Sequence, residues 1–192
     1  MQTVTYSVLW SDKASRLELF VRLVYGLPFA VIMFVLFHIL GLFTLALPFV
    51  AQALTILVSR RRSESIARFF HRYYLDYIFQ YFAYYLLLTD ERPAIVPGDP
   101  MRRVKVYYSF KPLALRRELF VRILYAIAFQ VIGAIIGVVA FVSLAVQAVI
   151  VLFTGRRNRT IWEFEYMYGR FLTSYSYYLG LETDERPPLL PH

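Results

Sequence analysis

The chain has 192 residues, 59% of them hydrophobic and 18% charged, with a formal net charge of +8 and no cysteine. The hydrophobic fraction lies above the roughly 45–50% of soluble domains, and the absence of thiols excludes disulfides, thiolate metal sites and cysteine nucleophiles. No Asp, Glu, Lys or Arg occurs from Leu23 to Ser59 or from Ile123 to Gly155, and uncharged apolar runs beyond about 18 residues read as membrane-embedded. The expected class is an all-α integral membrane protein. Its basic residues gather at the flanks of the apolar runs, which suits anionic lipid and cytoplasmic retention of those flanks. A nucleic-acid binder would carry them across a water-exposed face, so no nucleic-acid partner is expected.

The first predicted element is extended. Val4, Tyr6, Val8 and Trp10 alternate with Thr3, Thr5 and Ser7, the period of a half-buried strand. The segment before the first apolar run lacks the basic-then-apolar order of a cleavable signal peptide. The run itself follows RLELFVRLVY and ends at LVSRRRSES. Next comes an aromatic segment, ARFFHRYYLDYIFQYFAYYLLL, closed by TDERP.

The second half repeats this order. Val104, Val106, Tyr108 and Phe110 alternate with Lys105, Tyr107 and Ser109; RRELFVRILY, LFTGRRNRT, IWEFEYMYGRFLTSYSYYLGL and a second TDERP follow. Four landmarks in one order indicate a tandem duplication. The repeats span residues 3–97 and 104–192, with PGDPMRR punctuating the linker at 98–103. Pairing of the two extended segments would satisfy edges that neither satisfies alone; an extended interfacial segment fits the alternation as well.

Each apolar run holds about 33–37 residues, between the roughly 20 of one span and 40 of two. Both ends are basic: Arg22 against Arg60, Arg61 and Arg62, then Arg122 against Arg156 and Arg157. If basic flanks stay inside, each run goes in and comes back as a transmembrane helical hairpin. Gly41 in the first run, and Gly133 and Gly137 in the second, are the candidate reversal points. Arg16 and Arg22 are expected to snorkel to the interface, and Glu18–Arg22 and Glu118–Arg122 stand at the i,i+4 spacing of helical ion pairs.

The aromatic segments mix charge with Tyr and Trp, the composition of an amphipathic helix in the membrane–water boundary. In the first, Arg68, Arg72, Asp76 and Gln80 form a polar stripe. A third span is the alternative, but it would invert the second repeat, whose charge marks do not invert.

Little here carries chemistry. His38 is the only titratable side chain in the runs, with a satisfied bundle histidine as the bland reading. Gln52, Gln130 and Gln147 suit hydrogen bonds between helices. No phosphate loop, zinc spacing, nucleophile elbow or carboxylate dyad occurs, so no enzyme, metal or cofactor is expected. The aromatic faces are more specific. Tyr74, Tyr77, Tyr81 and Tyr84 align with Tyr168, Phe171, Tyr175 and Tyr178 on one helical face. That face either packs against the repeat's own hairpin or docks a protein partner or lipid and pigment rings.

These landmarks resemble an uncharacterised prokaryotic membrane family, the domain-of-unknown-function family four-three-eight-nine, as two tandem copies. The second copy carries it best, through ELFVR, VLFTGRRNRT and ETDERPPLLP; the first departs at LVSRRR and RPA. The resemblance implies a membrane location and supplies no catalytic residues.

The expectation is a non-enzymatic accessory or scaffold subunit of a larger membrane complex, in contact with anionic lipid. It would be multi-pass in the cytoplasmic membrane of a prokaryote, with both termini cytoplasmic. An oligomeric channel or transporter, or a lipid-organising, membrane-shaping protein, is the alternative. Within TDERP, Asp90, Glu91, Asp184 and Glu185 sit where a helix C-terminus disfavours negative charge. They are expected to act as a structural latch on the basic clusters at Arg60–Arg62 and Arg156–Arg157.

Overall fold

The computed structural model describes residues 3–35, 46–95 and 101–190. His38, Gly41 and part of the linker lie outside them. The chain is mostly helical, with one two-stranded sheet at its centre. In order, the elements are β1 (Val4–Val8), α1 (Arg16–Phe34), α2 (Leu47–Ser59), α3 (Glu64–Phe70), a π-helical turn (His71–Leu75), α4 (Asp76–Tyr85), β2 (Val104–Tyr108), α5 (Arg116–Thr154) and α6 (Arg159–Leu179).

The two extended segments pair with each other. β1 and β2 are antiparallel, in the register Val4↔Tyr108, Tyr6↔Val106 and Val8↔Val104. Each repeat thus supplies the strand the other lacks, and the pairing centres on equivalent positions of the duplication. The inward side chains Val4, Tyr6, Val8, Val104 and Val106 meet Phe79, Ala83, Leu86 and Leu88 of the first repeat and Trp162 and Tyr177 of the second in one core. The repeats therefore share a hydrophobic centre.

The expected hairpin is absent from the second repeat. α5 runs unbroken for 39 residues, with Gly133 and Gly137 inside it. The glycines permit close packing there: a Cβ on Gly137 would stand 3.3 Å from the Tyr168 hydroxyl. Basic residues at both ends imply a reversal only if the run crosses the bilayer; a helix held along another helix, as α5 is along α6, gives the same charge pattern with no turn. Its start lies against the end of α2, with Arg116 donating to the Val58 carbonyl at 2.7 Å. Its end lies against the start of α1, where Arg16 donates to the Phe153 carbonyl at 2.7 Å. In the first repeat, Pro28 sits inside α1 and Pro48 in the first turn of α2.

Helix ends show how the duplication was adjusted. α5 closes on Gly155 at φ 70°; α2 closes on Arg60 at φ 57°, accepting the side-chain strain that glycine avoids. The aromatic helices differ by one residue: Arg62 to Tyr84 is one longer than Arg157 to Tyr178. The first repeat absorbs the extra residue as the π-helical turn at His71–Leu75, whereas α6 is a continuous α-helix.

Candidate functional site

Both TDERP strings follow helices that end in the same way. Leu88 N–H bonds the Ala83 carbonyl and Leu87 N–H the Tyr84 carbonyl; Glu182 and Leu181 do the same to Tyr177 and Tyr178. These are Schellman closures, with Leu87 and Leu181 at φ 58° and 67°. The reversal aims the next residues back at the long helices.

Two equivalent clamps result, one at each copy of the string. In one, Arg157 donates from Nε to the Leu87 carbonyl at 2.6 Å, from Nη1 to the Lys13 and Ser11 carbonyls at 2.6 and 3.2 Å, and from Nη2 to Asp90 at 2.5 Å. Arg22 reaches the same carboxylate at 2.9 Å and the Thr89 carbonyl at 2.6 Å. In the other, Arg62 donates to Leu181, Leu113 and Lys111 carbonyls and to Asp184, while Arg122 bonds Asp184 at 2.8 Å and the Thr183 carbonyl at 2.5 Å. The second oxygen of each aspartate takes a backbone N–H at the start of a long helix, Ser15 at 2.9 Å and Leu115 at 2.8 Å. Only the planar five-donor guanidinium can serve a carboxylate and three carbonyls at once.

The clamp crosses between repeats. Asp90 of the first repeat holds Arg157 of the second, and Asp184 of the second holds Arg62 of the first. Proximity in sequence pairs each string with the basic cluster of its own repeat. Identical repeats present identical partners in either sense, so only the fold selects the exchange. Arg22, Arg62, Arg122 and Arg157 are accordingly buried and do not serve as a membrane-surface patch. Arg16, Arg60, Arg61 and Arg156 remain exposed.

The other letters of the string are engaged too. Arg92 and Arg186 bond Glu18 and Glu118 at 2.6 and 2.9 Å, and Tyr84 and Tyr178 donate to the same two carboxylates. The i,i+4 pairs read from the sequence are not formed: each glutamate takes the arginine of TDERP, and each helical arginine takes its aspartate. Glu91 accepts the N–H groups of Arg102 and Arg103 at 2.7 and 2.8 Å, and Glu185 accepts that of Thr3 at 2.8 Å. Both glutamates thus fix the lead-in to a strand of the opposite repeat. Burial acts upward on the Glu185 carboxyl, but the bonds from Thr3 outweigh it and leave it below the ordinary range.

The aromatic face is used inside the chain. Tyr74, Tyr77, Tyr81, Tyr84, Phe171, Tyr175 and Tyr178 are buried and Tyr168 half-buried. Phe29 stacks on Tyr81 with centroids 3.8 Å apart, and Phe129 on Tyr175 at 3.3 Å. For Tyr77, Tyr81, Tyr84, Phe171, Tyr175 and Tyr178 this is packing against the repeat's own long helix, which removes them as a free docking face; Tyr74 packs on Phe69 and Phe70 of its own helix. The polar stripe is broken as well, because Gln80 is buried against Asp76 at 2.8 Å beyond the π turn.

The sequence reading missed two buried acids, Glu165 and Glu182. Glu165 lies between α5 and α6, fully buried, bonded by Ser143 through one oxygen and leaving the other without a partner. Burial pushes it up to about 7 against that hydrogen bond. Glu182, bonded by Tyr108 at 2.9 Å, is also pushed up to about 7 by burial, and Asp76 to about 6. An acid amid aromatics in an otherwise amphipathic helix was the available signal for Glu165.

An apolar cavity of about 430 Å³ opens between α2, the π turn and the end of α6. It is lined by Phe49, Phe70, Tyr74, Leu75, Ile78 and Leu179, among others. Among the described residues, no group of three or more His, Cys, Asp or Glu side chains is placed to hold a metal ion.

Two helices, Arg16–Phe34 and Arg116–Thr154, are long and apolar enough to cross a membrane. The model of a protein family described as Domain of unknown function (DUF4389) matches the chain twice, over residues 16–96 and 116–190. No curated protein and no solved structure matches.

Proposed function

The chain belongs to the DUF4389 family in tandem duplicate, and from that premise we propose that it is a non-enzymatic scaffold embedded in a membrane, a clamped platform that holds long apolar helices in lipid. One observation carries this reading. Phe120, Leu124, Ile127, Val131, Ile135, Val138, Val142, Val146, Val149 and Phe153 form an exposed apolar stripe along nearly the whole of α5, at the spacing of a single helical face. Leu17, Phe20, Val24, Leu27, Val31 and Phe34 continue it on α1. Exposed apolar surface on this scale has no place in water.

The length of the stripe argues for orientation. A helix of 39 residues is about 58 Å long, against a hydrocarbon core of about 30 Å. Exposed Lys13, Arg16 and Arg156 stand at one end of α5, and Arg61, Lys111, Arg116 and Arg117 at the other. Basic ends on one side of the membrane, with an apolar stripe between them, describe a rod lying in the leaflet, its lysines and arginines among anionic headgroups. Both termini then lie on the cytoplasmic side. Because the aromatic helices are consumed by internal packing, this account favours lipid organisation over docking to a larger complex through those helices.

Flotation of purified protein with anionic vesicles tests the reading. Retention on the vesicles through high salt and alkaline wash is expected from apolar insertion. Release by salt alone would show a surface-bound protein and contradict it.

A further inference from the structure

We propose that the cavity beside the π turn is a binding site for a single lipid acyl chain, a site present in the first repeat and closed in the second. The inference rests on the membrane-embedded reading above.

The asymmetry is the first argument. In the second repeat the same region is filled: Ser143 of α5 bonds Glu165 of α6, and the Tyr168 hydroxyl reaches to within 3.3 Å of where a Cβ on Gly137 would stand. In the first repeat, by the alignment of the two copies, Phe70 replaces Glu165 and Pro48 replaces Ser143, a pair of side chains with no hydrogen-bonding group, so the bond that joins α5 to α6 at this level cannot form between α2 and the aromatic helix. The one-residue insertion then re-aims Tyr74 and Leu75. Insertions of this kind recur where a helix has been adapted to bind something, and here Tyr74 and Leu75 line the space.

The chemistry of the lining names the occupant. Its side chains are aliphatic or aromatic, and its volume of about 430 Å³ falls within the 300–1,000 Å³ of small-molecule sites. Among the described residues no charged side chain lines it, a lining that suits an acyl chain and not a headgroup, an ion or a polar metabolite. The mouth is continuous with the exposed apolar face of α2, since Phe49 lines the cavity and is itself 40% exposed beside Val50 and Leu54. A chain entering from the bilayer crosses only apolar surface.

The probe is phosphatidylglycerol with a diazirine near the end of one acyl chain, incorporated into vesicles carrying the full-length protein, with labelled residues located by peptide mass spectrometry. Tyr74 is 2% exposed, so bulk lipid does not reach it. Label on Tyr74 and Leu75 at several times the level on Tyr168 and Gly169 is expected. Ala46→Phe, which adds a ring at the rim, should cut that label at least five-fold while leaving label on the outer face of α5 unchanged. Equal labelling of the two repeats, or none at Tyr74 and Leu75 in protein that floats with the vesicles, overturns the site and leaves the membrane reading standing. Protein that does not float overturns both.

Discussion

Arg157 of the second repeat and Asp90 of the first are bonded at 2.5 Å, and the arginine side chain is 1% exposed. The equivalent bond joins Arg62 to Asp184 in the opposite sense. A tandem duplication has thus become a pseudo-symmetric pair whose repeats each complete the other.

Removing one carboxylate leaves two buried guanidinium groups facing each other. Asp90→Ala strands Arg22 and Arg157, and Asp184→Ala strands Arg62 and Arg122. Each substitution should cost about 3–5 kcal/mol, the range for uncompensating a buried pair. Thermal unfolding in detergent should show similar losses for the two. A loss confined to one clamp would break the proposed equivalence.

Neither repeat should be stable alone, because its strand edge and its aspartate both require the other. Residues 1–97 and 98–192 produced as separate chains in one cell should co-purify as a complex. A folded, monomeric first repeat would contradict the shared core.

The strand register is open to a chemical test, since the chain has no cysteine of its own. Ser7 pairs with Lys105, at the Cα separation of about 5.5 Å that suits a disulfide. The double substitution Ser7→Cys with Lys105→Cys should oxidise readily within one chain. Ser7→Cys with Tyr107→Cys, out of register, should do so far less.

Glu165 gives the protein a pH dependence of definite sign. Its carboxyl is raised to about 7 by burial, so between the ordinary glutamate range and that value the folded state holds the proton more tightly than the unfolded. Stability falls as pH rises through this window and stays lower above it. Glu165→Gln should therefore match the parent at pH 4.5 and exceed it at pH 8, measured by melting temperature. A variant less stable at pH 8 would show that the ionised carboxylate has a partner.

The duplication and the strands were legible because each rests on local pattern, whereas the helices expected to end on the proline of TDERP close earlier, on Leu87 and Leu181 at positive φ. Alternation marks Val4 to Val8, and matched strings mark repeats. What escaped depends on non-local geometry. The exchange of Arg62 and Arg157 between repeats is invisible to a sequence whose copies carry the same partners. The course of α5 is hidden because arginines at both ends of a helix lying along a surface resemble those flanking a hairpin. The tyrosine face of α4 and α6 fits both a docking surface and an internal one, and Phe29 and Phe129, which decide between them, lie some fifty residues away.

Whether the stripe on α5 lies in lipid along its full length is read by spin labels placed singly at Leu124, Val131, Val138 and Phe153 in reconstituted vesicles. At all four sites, strong relaxation by dissolved oxygen, weak relaxation by a water-soluble nickel chelate, and similar depths are expected. Labels at Leu124 and Phe153 on opposite membrane faces, or all four open to the nickel chelate, would contradict it.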